Sequence, residues 1–154
     1  VVVNTATHQD PELITRLADE FGSQSVVVSI DCKRNFLGHY QVVTKQGRTK
    51  TRKTPEAWAD EVERLGAGEI LLTSTDRDGL FSGYDIELTA RVVSAVDIPV
   101  VACGGAGNLE HIRQVVREGG AAAAAAGSLF VFQGAQRAVL VNYPDRETLD
   151  HLFD

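Results

Sequence analysis

Short apolar runs recur along the chain, and each closes on a polar or glycine-containing turn. Residues 1–3 end at Asn4 and Thr5, residues 26–30 at Asp31, and residues 70–72 at Thr73. Residues 99–103 end at Gly104-Gly105, and the alanine run 121–126 ends at Gly127-Ser128. Runs this short and this apolar predict parallel strands covered on both faces. Amphipathic segments lie between them. Asp10-Pro11-Glu12 reads as an N-cap, a proline at the first helical position and an acid in the first turn. A stripe of Leu13, Ile14, Leu17, Ala18 and Phe21 follows at helical spacing, and Gly22 ends it.

Three more helices follow the same grammar. Thr54-Pro55-Glu56 opens one whose inner face is Trp58, Val62 and Leu65. Asp85 caps a second with Leu88, Val92, Ala95 and Val96 inside, and Asn108 a third with Leu109, Ile112, Val115 and Val116. Asp145 caps a last short helix through Leu149 and Leu152. Propensity alone would make the alanine run helical. Its position and length predict instead a strand packed tightly against bulky neighbours. Residues 40–44 and 48–51 flank Lys45-Gln46-Gly47 and predict a small β-hairpin at the carboxyl edge, covering part of a site. Residues 136–142 are assigned to no element.

Five strands alternating with helices imply right-handed βαβ crossovers and one parallel α/β sheet. Five strands cannot close an eight-stranded barrel. An open doubly wound sheet is the alternative, but the first unit has no dinucleotide-type glycine fingerprint. Length fits one domain, residues 1–154. No methionine occurs, and the chain opens directly on a strand, the pattern expected of a chain whose beginning is missing.

Composition narrows the partners. Net charge is -6, which argues against a nucleic-acid-coating surface. The densest basic stretch, Arg48 to Lys53, reads as a solvated hairpin. Two cysteines, Cys32 and Cys103, fit a reduced, cytoplasmic setting better than a disulfide framework. No run is long enough to span a membrane. The four histidines show no ligand spacing, so no metal and no cofactor are expected.

The strand ends carry the candidate chemistry. Asp78-Gly79, Gly104-Gly105 and Gly127-Ser128 are glycine turns at predicted helix starts or strand ends, where backbone amides can hold a phosphate. Asp31, at the end of an apolar strand, is either a general acid/base or a carboxylate that orders its loop through Lys33 or Arg34. One of Asp76 and Asp78 is expected to order the long loop 74–84 by accepting backbone N–H bonds. That loop carries Gly79 and Gly83 and has the composition of a mobile segment. Asn4-Thr5 is either a second anion site or a polar strand terminus. Phe36, Tyr40, Phe81 and Tyr84 either line a pocket or pack the loops.

Taken together, Val-Asn-Thr-Ala, Ser-Ile-Asp-Cys-Lys-Arg, the block from Gly66 to Gly79, Ser-Gly-Tyr-Asp, Cys-Gly-Gly-Ala-Gly and Ala-Gly-Ser-Leu-Phe resemble one family. It is the cyclase subunit of imidazole glycerol phosphate synthase, and the resemblance runs over essentially the whole chain. It covers the family's carboxyl-terminal part, strands four to eight of a (βα)8 barrel. A (βα) half-barrel is therefore implied, with the amino-terminal half absent. The family takes ammonia from a glutaminase partner and a bis-phosphorylated ribulosyl aminoimidazole nucleotide, and makes imidazole glycerol phosphate in histidine biosynthesis. By motif, the resemblance implies that Asp31 is one of two catalytic aspartates. Asp78, Gly79, Gly105, Gly127 and Ser128 would hold one phosphate, and Asn4 and Thr5 part of the other. Thr73 would line the site, and Glu69 would belong to an ammonia gate facing the glutaminase.

Two departures temper those implications. The family's other catalytic aspartate is on its first strand, outside the matched part, so whether residues 1–154 alone are an enzyme stays open and no turnover is expected of them. The tail 130–144 is closer to cyclase-like paralogues of surface-polysaccharide gene clusters, which would supply ammonia for amidotransfer to a sugar. A third reading is a non-catalytic half-barrel that binds phosphate and self-associates through its open edges into a homo-oligomer.

Overall fold

A computed structural model describes residues 1–45, 47–134 and 138–153. A seven-stranded sheet is its centre. Strands β1 (Val2–Val3), β2 (Val27–Arg34), β5 (Glu69–Ser74), β6 (Val100–Cys103) and β7 (Ala123–Ala125) are parallel neighbours in that order. Strand order that follows chain order without reversal sends every crossover the same way. Helices therefore collect on one face, as in a barrel, and not on both, as in a doubly wound sheet. The sheet is not closed, and the architecture is that of a (βα)-barrel segment.

The hairpin forms, but not as a free-standing flap. β3 (Tyr40–Thr44) pairs antiparallel with the far end of β2, and β4 (Thr49–Lys50) pairs with β3. On the same edge of β2, β1 occupies Val27 and Val28, and β3 takes over at Asp31.

One layer of helices covers the sheet: α2 (Glu12–Phe21), α3 (Pro55–Arg64), α4 (Ile86–Val93) and α5 (Leu109–Arg117). Val28, Ile30, Cys32, Ile70, Leu72 and Val100 point into them and are buried with Ile14, Trp58, Val62, Leu88 and Val92. Truncating one of these, Ile70 for example, to alanine costs about 2–5 kcal/mol. The opposite sheet face is only partly covered. Burial alternates along β5 and β6, so the expectation of two covered faces is corrected to one.

Caps behave largely as the sequence predicts. Thr54, Asp85, Asn108 and Asp145 each accept a backbone N–H from the residue three positions on. Asp10 does not. Its carboxylate turns outward to Arg16 at 2.6 Å, and Pro11 already has helical backbone angles. Phe21, placed on the inner stripe, is 55% exposed because it falls at the helix end, beyond the core. A short helix α1 (Thr5–Gln9) follows β1, where the sequence pattern assigned no helix.

The alanine run does form a strand, but not a tightly packed one. Ala122 and Ala123 are exposed, because β7 is the sheet's outer strand and, among the described residues, β6 is its one ladder partner. Beyond it lie α6 (Ser128–Val131), a small ribbon of β8 (Phe132–Gln133) with β9 (Ala138–Val139), and α7 (Arg146–His151). Within the unassigned stretch 136–142, residues 136 and 137 lie outside the described residues. No helix among the described residues is long and apolar enough to cross a membrane.

Candidate functional site

Sheet register assembles a row of side chains. Asp31 is paired with Thr73, Thr73 with Cys103, and Cys103 with Ala125. Register partners project to the same side of a sheet. Here that side is the one without helices, since the alternate residues Ile30, Cys32, Leu72 and Ala102 are buried beneath it. Glu69 and Leu71 share this side by alternation, so Glu69 stands about 13 Å from Thr73 along β5, at the amino end.

Three turns sit just past the row. Asp78, Gly79, Gly104, Gly105, Gly127 and Ser128 line one recess together with Cys103 and Ala125. Among the described residues, the amides of Gly79, Gly105 and Ser128 donate to no protein acceptor. The turns are held by different means. Gly105 has φ +107°, and a Cβ there would lie 2.2 Å from the Gly83 carbonyl oxygen. Only glycine fits, and the Gly83 amide donates to the Gly105 carbonyl at 2.8 Å. Gly127 differs: its φ is -113° and a Cβ would meet nothing within 4 Å. The protein's own packing does not require glycine there.

Asp31 is half-buried between these turns and β1. Asn4 Nδ2 donates to Asp31 Oδ2 at 3.1 Å and to Ser29 Oγ at 3.3 Å. Burial holds the Asp31 carboxyl above its ordinary range; the Asn4 bond opposes this, and the nearby Asp78 charge adds to it. The alternative role for Asp31, ordering a loop through Lys33 or Arg34, does not match the contacts. Lys33 Nζ donates to the Gly47 carbonyl at 3.0 Å, and Arg34 pairs with Glu87 at 2.7 Å. Asn4 is thus a neighbour of the acid. Thr5 Oγ1 accepts from the Lys45 amide at 3.3 Å, at the hairpin turn.

The loop after β5 is tied at several points. Asp76 is the carboxylate that accepts a backbone N–H, from Arg34 at 2.6 Å. The Thr75 amide and hydroxyl both donate to the Cys32 carbonyl. Asp85, only 6% exposed, accepts from the Tyr40 hydroxyl at 2.6 Å and from the Leu88 amide at 3.1 Å. Arg34 donates to the same Tyr40 hydroxyl, and Arg77 Nε lies 3.7 Å from Asp85 Oδ2. Burial, with Asp85 beside it, raises the Tyr40 pKa. Burial likewise pushes Tyr84 up to about 12, and its hydroxyl donates to the Ala125 carbonyl at 3.0 Å. Tyr40 and Tyr84 therefore pack the loops, and Phe36 is exposed.

Sequence reasoning missed three of these features. Cys103 belongs to the recess; its alternation with Ala102 at a strand end was the available signal. Burial raises its thiol pKa, so it is protonated near neutral pH. The Asn4–Asp31 bond and the Tyr40–Asp85 bond join residues 27 and 45 positions apart, and nothing local announces either.

Residues 1–136 match the family model described as "Histidine biosynthesis protein". The chain belongs to this family. It is 47% identical over 150 residues to the "Putative imidazole glycerol phosphate synthase subunit hisF2" of Pseudomonas aeruginosa, covering 97% of this chain and 60% of that protein. It is 49% identical over 154 residues to the imidazole glycerol phosphate synthase subunit HisF of Chlorobaculum parvum, covering 100% of this chain and 58% of that protein. Over 134 residues it is 54% identical to the same subunit of Prosthecochloris aestuarii, covering 86% of this chain and 53% of that protein. The chain thus spans a little over half the length of these relatives. The alignments with the Pseudomonas and the Chlorobaculum proteins cover 97% and 100% of this chain.

Proposed function

We propose that this family member supplies the phosphate anchor and one acid/base carboxylate of an imidazole glycerol phosphate synthase cyclase. The ligand is a bis-phosphorylated ribulosyl aminoimidazole nucleotide, and the second reactant is ammonia. One observation carries the reading: a carboxylate with a raised pKa stands in the same row of strand ends as a recess lined by undonated amides. The Gly79, Gly105 and Ser128 amides suit phosphate oxygens. Gly127, which neither backbone nor packing demands, lets an anion approach the main chain closely.

Asp31 then moves protons. A carboxyl raised toward neutrality exchanges a proton with a reacting amine or hydroxyl in both directions, and Asn4 holds its orientation. Thr73 lies between Asp31 and the recess, where its hydroxyl faces the ligand. Glu69, at the opposite end of the same sheet face, suits an entry point for ammonia from a glutaminase subunit. Leu71 lies between them on an otherwise apolar stretch.

The test is a chimera in which residues 1–154 replace the matching segment of the Chlorobaculum parvum subunit. The expected result is ammonia-dependent turnover of the nucleotide, lowered about 10²–10⁴-fold by Asp31→Asn. A folded chimera that binds the nucleotide without turnover, or one indifferent to Asp31→Asn, overturns the reading. A second reading, ammonia supply for amidotransfer to a surface-polysaccharide sugar, rests on the tail segment. There the Phe130 and Tyr143 rings meet at a tilt, centroids 4.9 Å apart, and the Asn142 amide donates to the Phe130 carbonyl. Residues 135–137 of that segment lie outside the described residues. Turnover of the nucleotide by the chimera counts against it.

A further inference from the structure

Loop 74–84 and the turn after β6 are fitted to each other along their length. A Cβ on Gly104 would lie 2.6 Å from the Ser74 carbonyl oxygen, and one on Gly105 2.2 Å from that of Gly83. One on Gly107 would lie 2.2 Å from that of Phe81. Three carbonyls of one segment thus press on three glycines of the other. The Gly83 amide closes the seam by donating to the Gly105 carbonyl at 2.8 Å. Contacts this close leave little room for either segment to shift alone.

Arg77 ties this seam to the Asp78-Gly79 turn. Its backbone carbonyl accepts from the Leu80 amide at 3.0 Å, closing the turn whose two central residues are Asp78 and Gly79. Its side chain reaches the other segment. Nη1 donates to the Gly83 carbonyl at 3.2 Å, and Nε lies 3.7 Å from Asp85 Oδ2. That Gly83 carbonyl is the one lodged against Gly105. Asp85 is itself held by the Tyr40 hydroxyl and the Leu88 amide, so the guanidinium leans on a fixed carboxylate at the start of α4. The side chain is 37% exposed, and as an ion pair alone it would contribute little. What it adds is a span, from the turn bearing the Gly79 amide to the contact that sets the Gly105 amide.

We propose that Arg77 is a positioning residue for the anion recess, joining two of its turns so that the Gly79 and Gly105 amides keep the spacing one phosphate needs. The inference rests on the phosphate reading and adds to it the group that preorganises two of the three amides. Donors already spaced for an anion need no rearrangement when it binds. Without the guanidinium the two turns are free to part, and each binding event must draw them together again.

The experiment compares the full 154-residue chain with Arg77→Met, which keeps an aliphatic stem and removes both donors. Amide hydrogen exchange is followed without ligand, and inorganic phosphate is titrated at about 50 mM and about 500 mM salt, where screening differs strongly. Exchange at the Gly83 amide is expected to quicken about tenfold or more relative to the core amides of Leu72 and Ala102. Phosphate affinity is expected to fall about three- to tenfold, equally at both salt concentrations. Unchanged relative exchange at Gly83, or phosphate affinity within about twofold of wild type, overturns the proposal; a lower urea midpoint accompanied by either result marks a merely structural role. An affinity loss that closes at high salt also overturns it, since Arg77 then acts on the anion by its charge and not by spacing the amides. Wild type that binds no phosphate overturns the recess reading, and Gly83 exchange then still decides whether Arg77 holds the two turns together.

Discussion

Asp85 is the residue on which the loop, the hairpin and helix α4 all depend. Replacing it with alanine removes a helix N-cap, worth about 1 kcal/mol. It also strands the Tyr40 hydroxyl, whose acceptor is Asp85 at 2.6 Å in a buried setting, at a cost of about 1–3 kcal/mol. Arg34 and Arg77 lose a charge partner at 3.9 and 3.7 Å, but their side chains are 42% and 37% exposed. Water screens both, so together they add at most about 0.5 kcal/mol. Asp85→Ala should therefore destabilise by roughly 2–4 kcal/mol. In a domain of this size that lowers Tm by about 5–15 °C. Asp85→Asn keeps an oxygen for both Leu88 and Tyr40 and should cost about 1 kcal/mol or less. Urea denaturation of the three proteins measures this, and a parallel phosphate titration follows the adjoining Asp78-Gly79 turn. Equal losses for alanine and asparagine, or a loss under about 0.5 kcal/mol for alanine, would refute the hydrogen-bond reasoning.

Three further outcomes are expected. Gly105→Ala should destabilise the fold, since its Cβ would meet the Gly83 carbonyl oxygen at 2.2 Å, whereas Gly127→Ala should leave thermal stability intact and weaken phosphate binding; the reverse pattern in melting and titration data contradicts the division of roles. His8 stacks on Trp58 at 4.4 Å, and its pKa is lowered by burial and then by Lys53. The folded state thus resists protonation, so His8 is neutral in both states above pH 6.5, and stability falls as pH drops from there through the lowered folded-state value; the fluorescence of the one tryptophan should quench over the same range, and a His8→Gln variant with an unchanged profile rules this out. Val1 and Val2 are 62% and 61% exposed beside the outer edge of β1, so the chain should self-associate, and sedimentation giving one monomeric species across a wide concentration range speaks against that.

Much of the fold was legible because local signals agreed with one another. Apolar runs, cap residues at Thr54, Asp85 and Asn108, and stop glycines all point to alternating strands and helices. Failures arose where a choice depended on a distant partner. Asp10 had the sequence of a cap, but Arg16 offered its carboxylate a charge-assisted bond. The alanine run looked like a packed strand, but its neighbour on one side is solvent. Both sheet faces read as apolar, yet Ser29, Asp31, Thr73 and Cys103 share one face, and period-two spacing contained that information. Asp31, Asp78, Gly79, Gly105, Gly127 and Ser128 were legible as positions at or just past strand ends, and the last five line one recess. Nothing in the local sequence tells that Asn4 contacts Asp31, or that Tyr40 reaches Asp85, because the sheet creates those contacts.

The central claim is that main-chain amides beyond β5, β6 and β7 hold a phosphate next to Asp31. Amide-resolved NMR of the chain during titration with inorganic phosphate tests it most directly. Saturable shifts, largest at Gly79, Gly105 and Ser128 and abolished by Gly127→Val, are the predicted result. Shifts that never saturate, or that leave those three amides unmoved, contradict it.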